Sequence, residues 1–137
     1  MHRAAWLALC LAACTASDPD ASCDEAALHS DLLWIQSQVF ERSCTLPSCH
    51  LGSGANAGRL DLRAGYAHGQ LVDTASTSAS AWTRVVPGDA ARSYLLVAIG
   101  QVPGPLPVDG IMPLGGPELC PEKRGAIQRW IEAGAPP

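Results

Sequence analysis

Ser43-Cys44-Thr45-Leu46-Pro47-Ser48-Cys49-His50 is the stretch on which the reading of this chain turns. Two thiols stand with four residues between them, and an imidazole directly follows the second. The chain around this stretch has 137 residues, room for one domain of ordinary size. At 47% hydrophobic and 16% charged, with 13 Gly and 11 Pro, it is apolar enough to fold yet too punctuated by turns for long uninterrupted elements. A formal charge of −4 and the lack of any Lys or Arg run leave a phosphate-tracking surface without electrostatic basis, so no nucleic-acid partner is expected.

Two neighbouring thiols with a His beside the second suit covalent attachment of haem: the sulfurs add to the two vinyl groups on one porphyrin edge, and the imidazole reaches the iron from one face. The usual spacer is two residues. Here Thr45 to Ser48 make it four, so the extra length must loop out without parting the sulfurs, and Pro47 favours such a turn. A small disulfide loop between Cys44 and Cys49 in a haem-free binding module is the alternative. Zinc on Cys44, Cys49 and His50 is a third reading, but the second closely spaced ligand pair of a structural zinc site is missing.

Iron in electron-transfer haem sites commonly carries His on one face and Met on the other. Of the 2 Met in the chain, Met1 falls in the N-terminal leader described below, which leaves Met112. It stands in Gly110-Ile111-Met112-Pro113-Leu114-Gly115-Gly116-Pro117, an irregular loop free of helical constraints on where its side chain lies. Core filling is the common alternative fate of a lone Met.

Helices are expected on both sides. Pro121 to Ala133 (PEKRGAIQRWIEA) places Pro at a first helical position, Glu122 in the first turn, and Ala126, Ile127, Trp130 and Ile131 at helical spacing, with Gly134 as the stop. Asp24 to Phe40 shows a similar amphipathic pattern through Leu28, Leu32, Trp34 or Ile35, Val39 and Phe40, so a helix should end about one turn before Cys44. Asp89 to Ile99 reads as one helix with Asp89 as N-cap, Gly100 at its end, and Tyr94, Leu95, Ala98 and Ile99 on its buried face. Residues 64 to 72 suggest a shorter helix, and 73 to 80 (DTASTSAS) an exposed loop.

The first 13 residues, MHRAAWLALCLAA, place Arg3 ahead of a short apolar run, the layout of a secretory signal. The run ends in Leu11-Ala12-Ala13-Cys14, which resembles a bacterial lipobox, in which the Cys becomes the lipidated first residue; an ordinary small-residue cleavage site is the alternative. Residues 14 to 22 then read as a flexible tether and 23 to 137 as the folded domain. The expected location is the bacterial cell envelope, on the periplasmic side or as an outer-membrane lipoprotein, touching membrane only through the anchor.

The order of helix, Cys-Cys-His, loops and small helices, Met-Pro loop and C-terminal aromatic helix resembles the monohaem c-type cytochromes. Further phrases are similar to the cytochrome-c-like domains of secreted and lipid-anchored bacterial proteins: Gly58-Arg59-Leu60-Asp61-Leu62, Arg84-Val85-Val86-Pro87-Gly88-Asp89 with Ser93-Tyr94-Leu95, Ile111-Met112-Pro113, and Ile127 to Ala135 around Trp130-Ile131. This resemblance spans roughly residues 24 to 136. It implies a small all-α cytochrome-c-like fold with crossing terminal helices and long Gly/Pro-rich loops around one haem c. It also implies thioethers through Cys44 and Cys49, axial ligation by His50 and Met112, and Phe40 against Trp130 at the helix crossing. The four-residue spacer departs from the general pattern.

Cys23 and Cys120 have no counterpart in that pattern. Each begins a terminal helix in a chain sent to an oxidising compartment, and a disulfide between them is expected, with metal ligation as the alternative. His29 reads as a solvated surface residue; His68 as a residue of a short helix, with distal ligation as its alternative. Asp61 and Asp89 read as turn and cap residues. No Ser-His-Asp pattern, phosphate loop or paired carboxylate motif stands in the chain, so the expectation is a monomeric single-electron carrier serving a redox partner protein rather than an enzyme.

Overall fold

A computed structural model describes residues 21–52 and 57–137. The expected signal, Cys14 and the tether up to residue 20 lie outside the described residues. Among them the regular elements are all helical, with isolated β-bridges and no regular strand.

The expected single helix over Asp24–Phe40 is in fact broken. Helix α1 runs Ala21–Ala26, so it begins two residues inside the stretch read as tether. After a turn the chain restarts at α2, Leu32–Ile35, where the Asp31 carboxylate accepts from Trp34 N at 2.8 Å and caps the new N-terminus. The break is held from the far end of the chain: Arg129 donates to the Ala26 and His29 carbonyls at 2.7 and 2.9 Å, supplying partners that a continuous helix would have provided. From Ile35 the helix widens into π-helical turns over Gln36–Cys44, ending with Thr45 N donating to Phe40 O at 2.9 Å. The helix therefore runs to Cys44 itself, past the expected end at Phe40.

Helix α3 spans Ala67–Leu71 and α4 spans Tyr94–Ala98. The expected helix over 89–99 is also interrupted. Asp89 caps only a short 3-10 turn, Ala90–Arg92, accepting from Arg92 N. Ser93 is then extended, its hydroxyl accepting from Val86 N and donating to Asp89 O, a side-chain competition that ends helices. The stretch 73–80 is not wholly a surface loop, since Ser76 is buried and Ala75 bridges Thr83.

Helix α5, Pro121–Glu132, follows its expected course with Pro at the first turn. It stops at Gly134 (φ +96°): Gly134 N donates to Ile131 O and Ala135 N to Trp130 O, the two bonds of a Schellman cap. Trp130 and Phe40 are both buried in one core with Ile35, Leu96, Ile127 and Ile131, where α1, α2 and α4 pack on α5. The Cys23 and Cys120 sulfurs lie at disulfide distance, with Cα atoms 6.2 Å apart, which ties α1 to the start of α5. His29 is not a free surface residue: its ring stacks on Trp34 at 4.6 Å and its Nδ1 pairs with Asp31.

Candidate functional site

A cleft of about 440 Å³ opens between the 42–50 segment, residues 57–62, α4 and the 107–117 loop. Its size falls within the range of small-molecule and cofactor sites, roughly 300–1,000 Å³. Cys44, Cys49, His50 and Met112 all line it, although Met112 is far from the others in the chain.

The long spacer between the thiols is taken up by two nested turns. His50 N donates to Cys44 O at 2.9 Å, and inside that loop Cys49 N donates to Leu46 O at 2.9 Å. Pro47 occupies the second position of the inner turn, and Ser48 at the third has φ +70°, the pattern of a type II turn. Cys44 at the helix end and Cys49 after the turn are both half-buried and unbonded. Burial, with the neighbouring Cys49, pushes the Cys44 thiol up to about 12.

His50 is gripped by the segment that follows the left-handed turn Ala57–Arg59. Its Nδ1 donates to Leu60 O at 3.2 Å, and its carbonyl accepts from Leu62 N at 3.0 Å. Leu62 is in turn held by Gln36, whose side-chain amide donates to Leu62 O at 2.9 Å from the π-helical segment. A carbonyl only accepts, so Nδ1 donates to Leu60 O and, in the neutral ring, Nε2 keeps a lone pair; the Ala57 carbonyl also interacts with the ring. Burial, with the charge of Arg84, pushes the His50 pKa down against the opposing pull of the Leu60 and Ala57 carbonyls.

Met112 is half-buried, packs against the core and is anchored by its backbone N donating to Ala98 O at 2.8 Å. Helix α4 also presents Leu95 and Ala98 to the cleft; the fully buried residues on this helix are Leu96 and Val97, not the expected Leu95 and Ala98. A helix lying between core and cleft is apolar on both sides, and periodicity alone does not say which side faces which.

Two polar side chains on the cleft wall were given no site role by the sequence reading. Arg84 is 7% exposed, donating to Gln70 O at 2.8 Å and Gly58 O at 3.1 Å, and Tyr94 is 6% exposed, its buried hydroxyl without a hydrogen-bond partner. Both stand in phrases that the resemblance quotes, and Tyr94 was expected on a buried helix face, but nothing local in the sequence says that either side chain lines the cleft.

The remaining candidates lie elsewhere. His68 does not line the cleft; its ring lies edge-on to Trp130 and its Nε2 donates to Ala135 O at 2.9 Å, pinning the C-terminus. Asp61 is a buried turn residue, accepting from Arg63 N and from the Arg63 guanidinium. Among the described residues, the one set of three His, Cys, Asp or Glu side chains with donor atoms within 4.8 Å of one another is Cys23, Cys120 and Glu122, two of which are the disulfide-distance pair. The donors of Cys44, Cys49 and His50 do not form such a set. Donors spread around a cleft with apolar walls such as Leu62, Leu71 and Leu95 instead fit a broad, flat, largely apolar cofactor that they touch at different points.

Among the described residues no helix is long and apolar enough to cross a membrane. Set beside models of known families, curated proteins and solved structures, the chain matches none.

Proposed function

We propose that this protein is a lipid-anchored, single-haem electron carrier of the cytochrome c type, with a cytochrome-c-like fold. The observation that carries the reading is the meeting of Cys44, Cys49, His50 and Met112 on one cleft of cofactor size. These are the four side chains that the motif and the lone mature Met single out from sequence. Cys44 and Cys49 would hold the haem covalently, and His50 and Met112 would supply its protein ligands. A haem held there would supply one-electron transfer.

The chain's own contribution is to hold and to exclude. The Leu60 carbonyl fixes the His50 tautomer, Ala98 fixes the Met112 backbone, and Leu62, Leu71 and Leu95 keep water from the faces of the ring. No side chain reacts with a substrate, so the partner is another redox protein. In this reading Cys14 carries the lipid that anchors the chain in the bacterial cell envelope.

Met112→Ala tests the assignment. The haem should stay attached while the low-spin spectrum gives way to a high-spin one, or to one that changes with added outside ligand. An unchanged low-spin spectrum eliminates Met112 as a ligand.

A further inference from the structure

Gln36 opens the π-helical segment Gln36–Cys44 and is 8% exposed, and its side-chain amide donates to Leu62 O at 2.9 Å, 26 residues along the chain. Leu62 is buried as well, and its N donates to His50 O at 3.0 Å. Two residues back, Leu60 O accepts from His50 Nδ1 at 3.2 Å. Between them Asp61 is buried, its carboxylate accepting from the backbone of Gly52 and Arg63 and from the Arg63 guanidinium. Residues 60 to 62 thus grip the imidazole with one carbonyl and the His50 backbone with one amide, while a side chain from the π-helical segment holds their far end.

The ring has a choice of carbonyl. Ala57 O also interacts with it, and Ala57 and Leu60 stand at the two ends of a left-handed turn. Within that turn Leu60 N reaches Ala57 O at 3.3 Å, a long bond that ties the two ends only to each other. The hydrogen bonds that fix residues 60 to 62 to the rest of the chain begin at Asp61 and Leu62. A buried amide costs free energy unless its donors are used, and Gln36 spends one on Leu62 rather than on its own segment. Helical π-turns of the kind that carry Gln36 inward occur mostly at functional sites.

We infer that Gln36 is a positioning residue for His50: by holding Leu62 it keeps the Leu60 carbonyl on Nδ1 instead of letting the ring turn to Ala57, and so sets which ring nitrogen is free and how basic that nitrogen is. An imidazole whose other nitrogen donates to a carbonyl is the stronger ligand. The inference rests on the haem reading for what the free nitrogen binds, whereas the choice of carbonyl is a property of the chain alone.

The full chain is prepared without haem attachment and with isotope-labelled histidine, and the His50 tautomer is read by proton–nitrogen correlation NMR at a pH where the ring is neutral. The Nδ1–H form should predominate in the parent. In Gln36→Met, which keeps the length and deletes the donor, the ratio of the Nδ1–H to the Nε2–H form should fall at least about threefold, the scale of one ordinary hydrogen bond. Val39→Ala, a cavity in the same π-helical segment, should lower stability and leave the ratio where it was. In the haem-loaded protein Gln36→Met should raise the reduction potential, because a less basic imidazole favours the oxidised iron less. An unchanged ratio in Gln36→Met, an equal fall in Val39→Ala, or a potential that stays or falls overturns the inference and leaves the haem reading standing. If the parent takes up no haem, that reading fails, and the tautomer ratio alone decides the role of Gln36. Should Gln36→Met not fold, Gln36→Asn, whose amide is one methylene short of Leu62 O, decides by the same ratio.

Discussion

The His50 ring and the Leu60 carbonyl are joined by a 3.2 Å hydrogen bond from Nδ1, so the imidazole is fixed in orientation and tautomer by a residue ten positions further along the chain. Orientation by a backbone carbonyl leaves Nε2 as the ring's remaining basic nitrogen. If that nitrogen is the iron ligand, His50→Gly should keep attached haem but lose its low-spin spectrum, and free imidazole should restore it. A variant that stays low-spin without imidazole contradicts the role given to His50.

Asp61 sets an acid limit on stability. Its bonds to Arg63 hold the carboxyl at about 2 against an ordinary 3.8. A lowered folded-state pKa stabilises the fold above the unfolded value, and this contribution disappears as pH falls from about 3.8 toward 2. Asp61→Asn should therefore be less stable than the parent at pH 7 and lose less stability over that acid window. Denaturant titrations at pH 7, 4 and 2 check both halves of the expectation, and parallel curves for the two proteins contradict it.

Cys23 and Cys120 are 97 residues apart in the chain and link α1 to the first turn of α5. Closing so long a loop restricts the unfolded chain, and removing such a link costs about 2–5 kcal/mol in small secreted domains. The double variant Cys23→Ser with Cys120→Ser should unfold at correspondingly lower denaturant. The parent protein should fall to the same midpoint on reduction, whereas a midpoint indifferent to reductant means that the pair is not oxidised.

Gly104 lies where a loop crosses α4. A Cβ there would stand 2.7 and 2.9 Å from the two Val97 methyls, so Gly104→Ala forces the loop off the helix that also forms the cleft wall. Overpacking of this kind costs about 1–3 kcal/mol. Gly69→Ala on α3, where a Cβ meets nothing within 4 Å, should instead be neutral or stabilising by up to about 1 kcal/mol. Thermal unfolding should show a loss for Gly104→Ala and none for Gly69→Ala, and an equal loss in both contradicts the packing assigned to Gly104.

Much of the site was legible because its signals are local or scarce. Cys44, Cys49 and His50 stand in one short string, and Met112 is the one Met beyond Met1. Helix α5 was legible for the same reason, since its Pro start, apolar spacing and Gly stop all lie within one segment. What could not be read depends on partners distant in the chain. The break before Asp31 is stabilised by Arg129, a hundred residues on, and Arg84 is buried by acceptors at Gly58 and Gln70. The break at Ser93 turns on a hydroxyl exchanging bonds with Val86 and Asp89, a choice that helix propensity does not encode. The π-helical turns that bring Cys44 to the cleft edge have no sequence signature at all.

The most direct measurement is the visible spectrum, oxidised and dithionite-reduced, of the mature protein produced alongside a haem-attachment system, followed by acid-acetone extraction. The expected result is a low-spin haem spectrum whose bands stay with the polypeptide after extraction and disappear when Cys44 and Cys49 are both replaced by Ser. A colourless protein with no free thiols, from cells that mature a Cys-x-x-Cys-His control, contradicts the electron-carrier reading and leaves a haem-free binding module with Cys44 joined to Cys49.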